Sequence, residues 1–255
     1  MDLDLWVYGV LALVGLLAGL IDSIAGGGAL LSLPTLLIIG LDPISALSTN
    51  KLQGSFGTAS ATFAFWKRGL LRPQEHLATI ACVLVGSALG VLLVSYAPRN
   101  TLSIIMPVLL VGVAIYFALA PRLSDEARAA RLPLAAFTFG IAPVIGFYDG
   151  FFGPGTGSFF MLAQVSLFGL GLLEATARTK LFNFTSNIIA LIIFIIGGHV
   201  IWAVGLVMGV AQFIGAQIGS HLAIRNGAAI IRPLLVLVCL VMAAKLFWEN
   251  LGAYL

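Results

Sequence analysis

Two glycine-broken motifs hold most of the chemistry open to this chain: Asp22-Ser-Ile-Ala-Gly26-Gly27-Gly28 and Asp149-Gly-Phe-Phe-Gly153-Pro154-Gly155-Thr156-Gly157-Ser158. Glycine lets the backbone leave a helix, and a helix that restarts after the break presents unpaired amide N–H groups with a partial positive charge. Such an end suits an anion. The plainer use of glycine is close helix packing, but packing accounts for neither aspartate nor Pro154. A lysine follows each motif, Lys51 beside Asn50 after the first and Lys180 after the second. Each lysine needs a partner, which Asp22, Asp149, an interfacial position reached by snorkelling, or a bound anion could supply. Asn183 and Asn187 stand at i+3 and i+7 from Lys180, on the lysine's face of a helix, and Ser55, Thr58 and Thr62 stand at i+4, i+7 and i+11 from Lys51. Both stripes read either as cavity lining or as packing contacts between helices.

The elements that must position these residues are set by composition. Of 255 residues, 60% are hydrophobic and 9% charged, with a mean hydropathy of +1.11, against roughly 25% charged in a soluble domain. The solvent for most of the chain is lipid. A lysine at the centre of a bilayer costs ~2.5–3.5 kcal/mol, which sharpens the demand for partners. Thirteen Lys and Arg against ten Asp and Glu give a net charge of +3, but the basic residues are scattered between apolar runs, which excludes a nucleic-acid surface. Cys82 and Cys239 lie inside apolar runs and read as packing residues. His76, His199 and His221 lack metal-ligand spacing or a companion nucleophile, so no metal, cofactor or catalytic residue is expected and the chain does not read as an enzyme.

Apolar segments run over 5–25, 29–40, 44–66, 76–96, 101–120, 134–152, 157–168, 181–197, 201–221 and 233–248. Uninterrupted runs without in/out alternation predict helices rather than a barrel. Asp2 and Asp4 stand where a secretory signal would carry Lys or Arg, so the first segment reads as a retained membrane helix. The fold class is thus an all-α polytopic membrane protein of ten helical segments. Segments 29–40 and 157–168 reach only ~18 Å at 1.5 Å per residue, short of a ~30 Å hydrocarbon core, and read as half-helices or re-entrant arms.

The halves repeat. Gly19, Asp22, Gly26 and Gly28 return 127 positions later as Gly146, Asp149, Gly153 and Gly155. Gly40, Leu41, Ala46, Lys51, Leu52, Gly69, Gly86 and Gly90 return 129 positions later as Gly169, Leu170, Ala175, Lys180, Leu181, Gly198, Gly215 and Gly219. This divides the chain into a first transmembrane repeat at 1–120, a charged cytoplasmic linker at 121–133 and a second repeat at 134–255. An odd number of segments per repeat predicts that the copies are inverted, an arrangement used by secondary transporters. With both termini outside, ten of the thirteen basic residues fall in cytoplasmic loops, leaving Lys51, Arg99 and Lys245. Gly86-x-x-x-Gly90 and Gly215-x-x-x-Gly219 read as packing faces, with Gln212 and Gln217 as further cavity candidates.

The stretches AGLIDSIAGGGALLSLPTLLIIG, ALSTNKLQGS, GFYDGFFGPGTGS, ARTKLFNFTSN and GGHVIWAVGLVMGVAQFIGAQIGS resemble the TauE/SafE family of membrane permeases, the sulfite and organosulfonate exporter group, and within it the YfcA-like branch. The resemblance implies a multi-pass transporter of the bacterial inner membrane, with substrates among sulfite, sulfonates and related sulfur-containing or carboxylate anions. The expected mechanism is alternating access around a site between the repeats. Substrate would be held by Gly26, Gly27, Gly28, Asn50, Lys51, Gly153, Gly155, Thr156, Ser158, Lys180, Asn183 and Asn187, with Asp22 and Asp149 serving proton coupling or charge pairing. A passive anion channel and a non-transporting membrane scaffold are the rival readings. The expected partners are a small anion, the lipid bilayer and a coupling proton, and a homo-oligomer is left open.

Overall fold

The computed structural model describes residues 3–98 and 130–227, with 101, 102, 105, 108, 109 and 112 between them. The expected segment 233–248, most of 101–120, residues 121–129 of the linker, and Arg99, Arg232, Lys245 and Cys239 lie outside the described residues. Within them, eight helices can be followed end to end: α1 (Leu5–Ala25), α2 (Ala29–Ile38), α3 (Pro43–Lys67), α4 (Leu77–Ser95), α5 (Leu134–Phe151), α6 (Thr156–Phe168), α7 (Leu172–Ile196) and α8 (Trp202–Asn226). A short 3₁₀ turn, Pro73–His76, leads into α4. Five helices are long and apolar enough to cross a membrane: α1, α4 with its leading turn, α5, α7 and α8. Their outward faces carry residues such as Leu13, Leu17, Val85, Leu89, Val210 and Ile218, exposed on the protein and apolar as lipid requires.

Helix α3 has the length of a span but not the composition. Asp42 caps it, accepting from the Ser45 amide at 3.3 Å, and Pro43 opens it. Along it run Ser48, Thr49, Asn50, Lys51, Gln53, Ser55, Thr58 and Ser60, all buried. A helix this polar is stable at membrane depth only when other helices wrap it, and α1, α7 and α8 do so. It is the polar axis of the bundle.

The buried apolar residues fall into two separate clusters. One joins Leu11, Leu36, Leu41, Leu47, Val94, Phe194 and Val204. The other joins Ile24, Phe65, Leu71, Phe137, Phe168, Leu172 and Ala223. Helix α1 leaves the first cluster and α2 returns to it, whereas α5 leaves the second and α6 returns, its last turn accepting at Leu167 from the amides of Arg131 and Leu132. The short helices thus fold back beside the long ones, and α1 with α2 and α5 with α6 form two helical hairpins, each returning to the cluster it left.

The long helices cross closely because glycine removes the side chain at the contact. Gly19 of α1 lies against the backbone of Gln212, and Gly215 and Gly219 of α8 lie against Leu16 and Leu20. In the α4–α5 crossing Gly146 lies against Val83, and Gly86 and Gly90 lie against Pro143 and Phe147. A Cβ at any of these positions would collide with backbone. Each α1 position in the first set has its counterpart 127 positions on in α5, and each α4 position in the second its counterpart 129 positions on in α8, with the glycines keeping their residue type, so both crossings use one pattern of contacts.

Two boundaries differ from expectation. Helix α7 starts at Leu172 rather than 181, and α8 runs to Asn226 rather than 221. Apolar runs stop at the first charge, but helices need not: Glu174 and Arg178 pair at 2.5 Å across one turn of α7, and Arg225 sits favourably in the last turn of α8. Lys180 is thus the ninth residue of α7, as Lys51 is of α3, and is buried inside the bundle rather than in the cytoplasmic loop where the count of basic residues placed it, because the helix begins a little over two turns before it.

Candidate functional site

Each hairpin tip is a broken helix whose ends meet charge. Gly26 ends α1 in the left-handed region at φ 82°, donating its N–H to the Asp22 carbonyl at 2.8 Å. The Asp22 carboxylate turns back to accept from the Gly28 amide, where α2 begins, at 3.4 Å. Lys180 donates to the backbone carbonyl of Asp22, at the negative end of α1, and its Nζ lies 3.4 Å from the carboxylate Oδ2. A carboxylate at a helix start and an ammonium at a helix end are each favourable with respect to the helix dipole.

The second tip repeats the logic with different atoms. Gly153 and Gly155 take φ of 99° and 84°, and Thr156, the first residue of α6, donates its hydroxyl to Asp149 Oδ1 at 2.9 Å. Lys51 Nζ stands 2.9 Å from that same oxygen and donates to Asn187 Oδ1 at 3.1 Å. The Ser186 hydroxyl donates to Asp149 Oδ2. The ion pairs are crossed: the lysine of the first half pairs with the aspartate of the second, and the reverse. All four groups are buried, Lys51 at 1% and Lys180 at 0% exposure.

The tips also touch. A Cβ on Gly26 or on Gly157 would meet the other's backbone, and Ser158 donates to the Ala25 carbonyl at 2.7 Å. Between them lies a cavity of about 30 Å³, room for water and little more. Asp22, Gly26, Asn50, Lys51, Asp149, Gly153, Thr156, Asn183 and Asn187 line it. Among the sequence-derived candidates, Gly27, Gly28, Gly155, Ser158 and Lys180 are not in the lining: Lys180 lies behind Asp22, and Ser158 is spent on the hairpin contact.

Thr58 and Gln212, both named from the sequence as cavity candidates, also line it, and Ala29, Ser32, Gly54 and Gly157 complete the wall. Gly54 and Gly157 had a signal in their neighbours, one following Lys51 by three residues and the other lying inside the second motif. Ser32 had none, because its role arises from a bond across helices, its hydroxyl donating to Asn50 Oδ1 at 2.6 Å. The hydroxyls of Ser55 and Thr58 donate to the carbonyls of Lys51 and Gly54 in their own helix, at 2.7 Å each. Gln217 bonds the Ser60 carbonyl outside the cavity.

Two aspartates and two lysines cancel, so the cavity is formally neutral, with cations and carboxylates already paired. Such a centre can admit an anion if a carboxylate takes up a proton or gives up its lysine.

The family model described as "Sulfite exporter TauE/SafE" matches residues 11–246. The chain belongs to the TauE/SafE family. Its relatives include the "Probable membrane transporter protein YfcA" of Escherichia coli strain K12, 48% identical over 246 residues, 96% of this chain and 91% of that protein. The "Probable membrane transporter protein ORF9" of a Sinorhizobium species is 47% identical over 245 residues, 96% of this chain and 94% of the relative. A "Probable membrane transporter protein" of Haemophilus influenzae is 39% identical over 250 residues, 98% of each chain. No solved structure matches the chain at a significant level. As a TauE/SafE member with five candidate membrane-spanning helices among its described residues, the protein is a multi-pass membrane transporter.

Proposed function

We propose that the chain moves a small oxyanion, of the class of sulfite, organosulfonates or related carboxylates, by alternating access around the cavity where the two hairpins meet. The crossed ion pairs carry this reading. Each lysine is held by the aspartate of the other half, so an anion that takes the aspartate's place on a lysine loosens the contact between halves that must rock past one another. The registered glycine crossings and the two hairpins, each returning to its own apolar cluster, support two inverted repeats, 1–120 and 134–255, joined by the 121–133 linker. Lys67, Arg68, Arg72, Arg131, Arg178 and Arg225 flank elements that end at the Leu71–Leu172 cluster. The excess of basic residues in cytoplasmic loops favours that end as the cytoplasmic side of a bacterial inner membrane, with both termini outside.

Charge bears on direction. With the cell interior negative, outward movement of one negative charge gains ~2.3 kcal/mol per 100 mV, so export needs no coupling ion and import needs a proton or another cation. Protonation of Asp149 would release Lys51 to an incoming anion. The test is flux of sulfite, sulfonates and carboxylates into proteoliposomes across a range of pH. Flux is expected to saturate with substrate, to rise as pH falls, to lose its pH dependence in Asp149→Asn, and to drop at least tenfold in Lys51→Ala. Unsaturable flux would favour a channel, no flux of any anion would remove the transport reading, and an unchanged rate and pH profile in Asp149→Asn would remove Asp149 from coupling.

A further inference from the structure

On the outer side of α8 an apolar stripe runs into two arginines. Val210, Ile214, Ile218 and Leu222 recur every fourth residue and so share one face of the helix. The first three are exposed and Leu222 is half-buried. From Val210 to Leu222 the helix rises about 18 Å, a little more than the ~15 Å that one leaflet contributes to a ~30 Å hydrocarbon core. The stripe ends in a groove of about 670 Å³ walled by Ile218, Leu222 and Ile224, with Arg225 from the last turn of α8 and Arg68, which follows the last residue of α3.

These two charges are uncompensated. Arg72 and Arg178 are paired with Glu75 and Glu174, whereas neither Arg68 nor Arg225 has an acidic partner among the described residues, and none of the groove's lining is acidic. Gln217 and His221, the other polar residues of the groove, are turned to the main-chain carbonyls of Ser60 and Gln217, at 3.1 and 2.8 Å. Two guanidinium groups are what the groove offers a ligand. Trp66, exposed two residues before Arg68, is of the type that collects at membrane–water boundaries. General contact with lipid accounts for the stripe, and solvation for the arginines, but neither accounts for a groove continuous with both.

We infer that the groove holds one anionic phospholipid, its phosphate between Arg68 and Arg225 and one acyl chain along the Val210–Leu222 stripe. Guanidinium forks match phosphate oxygens, and basic pockets between membrane helices bind anionic headgroups. A zwitterionic lipid brings a cation of its own into a groove with no carboxylate to receive it. Because Arg68 closes α3 and Arg225 closes α8, the bound lipid bridges the two halves of the chain where those helices pack.

The inference stands apart from the transport reading. Its test is native mass spectrometry of the delipidated full chain in detergent with equimolar dioleoyl phosphatidylglycerol and dioleoyl phosphatidylcholine, which share their chains and differ in headgroup. The protein is expected to retain the anionic lipid in excess by roughly fivefold or more, the ratio that a single arginine's attraction to anionic lipid supplies. Arg68→Gln and Arg225→Gln are each expected to bring the ratio towards one, and Arg72→Gln, which removes an arginine that already has a glutamate, to leave it unchanged. Glycerol 3-phosphate, the phosphate without chains, is expected to displace none of the bound lipid at equal concentration. Should Arg225→Gln weaken the end of α8, whose dipole the arginine complements, Arg68→Gln carries the comparison. Equal retention of the two lipids, a preference that survives both substitutions or falls equally in Arg72→Gln, or displacement by glycerol 3-phosphate overturns the inference.

Discussion

Lys51 and Lys180 could be tolerated in the bundle only with a counter-charge, and the counter-charge each receives comes from the opposite half of the chain. Removing one partner of a buried pair leaves a lone charge, typically costing about 3–5 kcal/mol, whereas removing both costs far less. Lys51→Met is therefore expected to destabilise the protein by about that amount in chemical unfolding in detergent, and Lys51→Met combined with Asp149→Asn to recover more than half of it. Additive losses would mean that the two groups do not depend on one another. The pairing also explains why neither lysine reaches for the interface, the snorkelling alternative that sequence left open.

Among the elements, the helices differ in what their glycines do. A methyl group added at Gly9 of α1 would meet nothing within 4 Å, while Gly215 of α8 and Gly86 of α4 lie against the carbonyls of Leu16 and Pro143. An interior helical Gly→Ala gains roughly 0.5–1 kcal/mol where space allows, and overpacking a tight contact costs about 1–3 kcal/mol. Gly9→Ala is expected to raise the melting temperature slightly and Gly215→Ala and Gly86→Ala to lower it. The same sign for all three in a thermal melt would show that the crossings are slack. Spacing pointed to the Gly-x-x-x-Gly faces, but only the packing of α8 on α1 and of α4 on α5 separates them from Gly9.

For the molecule as a whole, the crossed pairs and the crossed helix contacts make each half incomplete alone. Helix α1 packs mainly on α8, and α4 mainly on α5, so the largest interfaces of each half are with the other. A chain cut within 121–129 and expressed as two pieces should accumulate only when both pieces are made together, with either alone falling several-fold in abundance because its lysine and glycine faces are left open. Membrane-fraction levels measure this directly. A half that accumulates alone at the level of the pair would contradict the interlock.

The class of solvent, the helical elements, the two breaks and the demand for counter-charges were all legible in the order of residues, because they follow from hydropathy, from glycine and proline chemistry and from the cost of a buried ammonium. Spacing also matched Lys51 with Lys180 and Asp22 with Asp149. It could not say which aspartate meets which lysine, that Gly26 rests on Gly157, or that Asn183 and Gln212 line one cavity. Composition undersold the start of α7: Glu174 and Arg178 interrupt the apolar signal, yet the helix persists because they pair across one of its turns. The crossed pairs and the contact between the hairpin tips were decided by the fold alone, since they depend on distances between residues about a hundred or more positions apart, which no local period encodes.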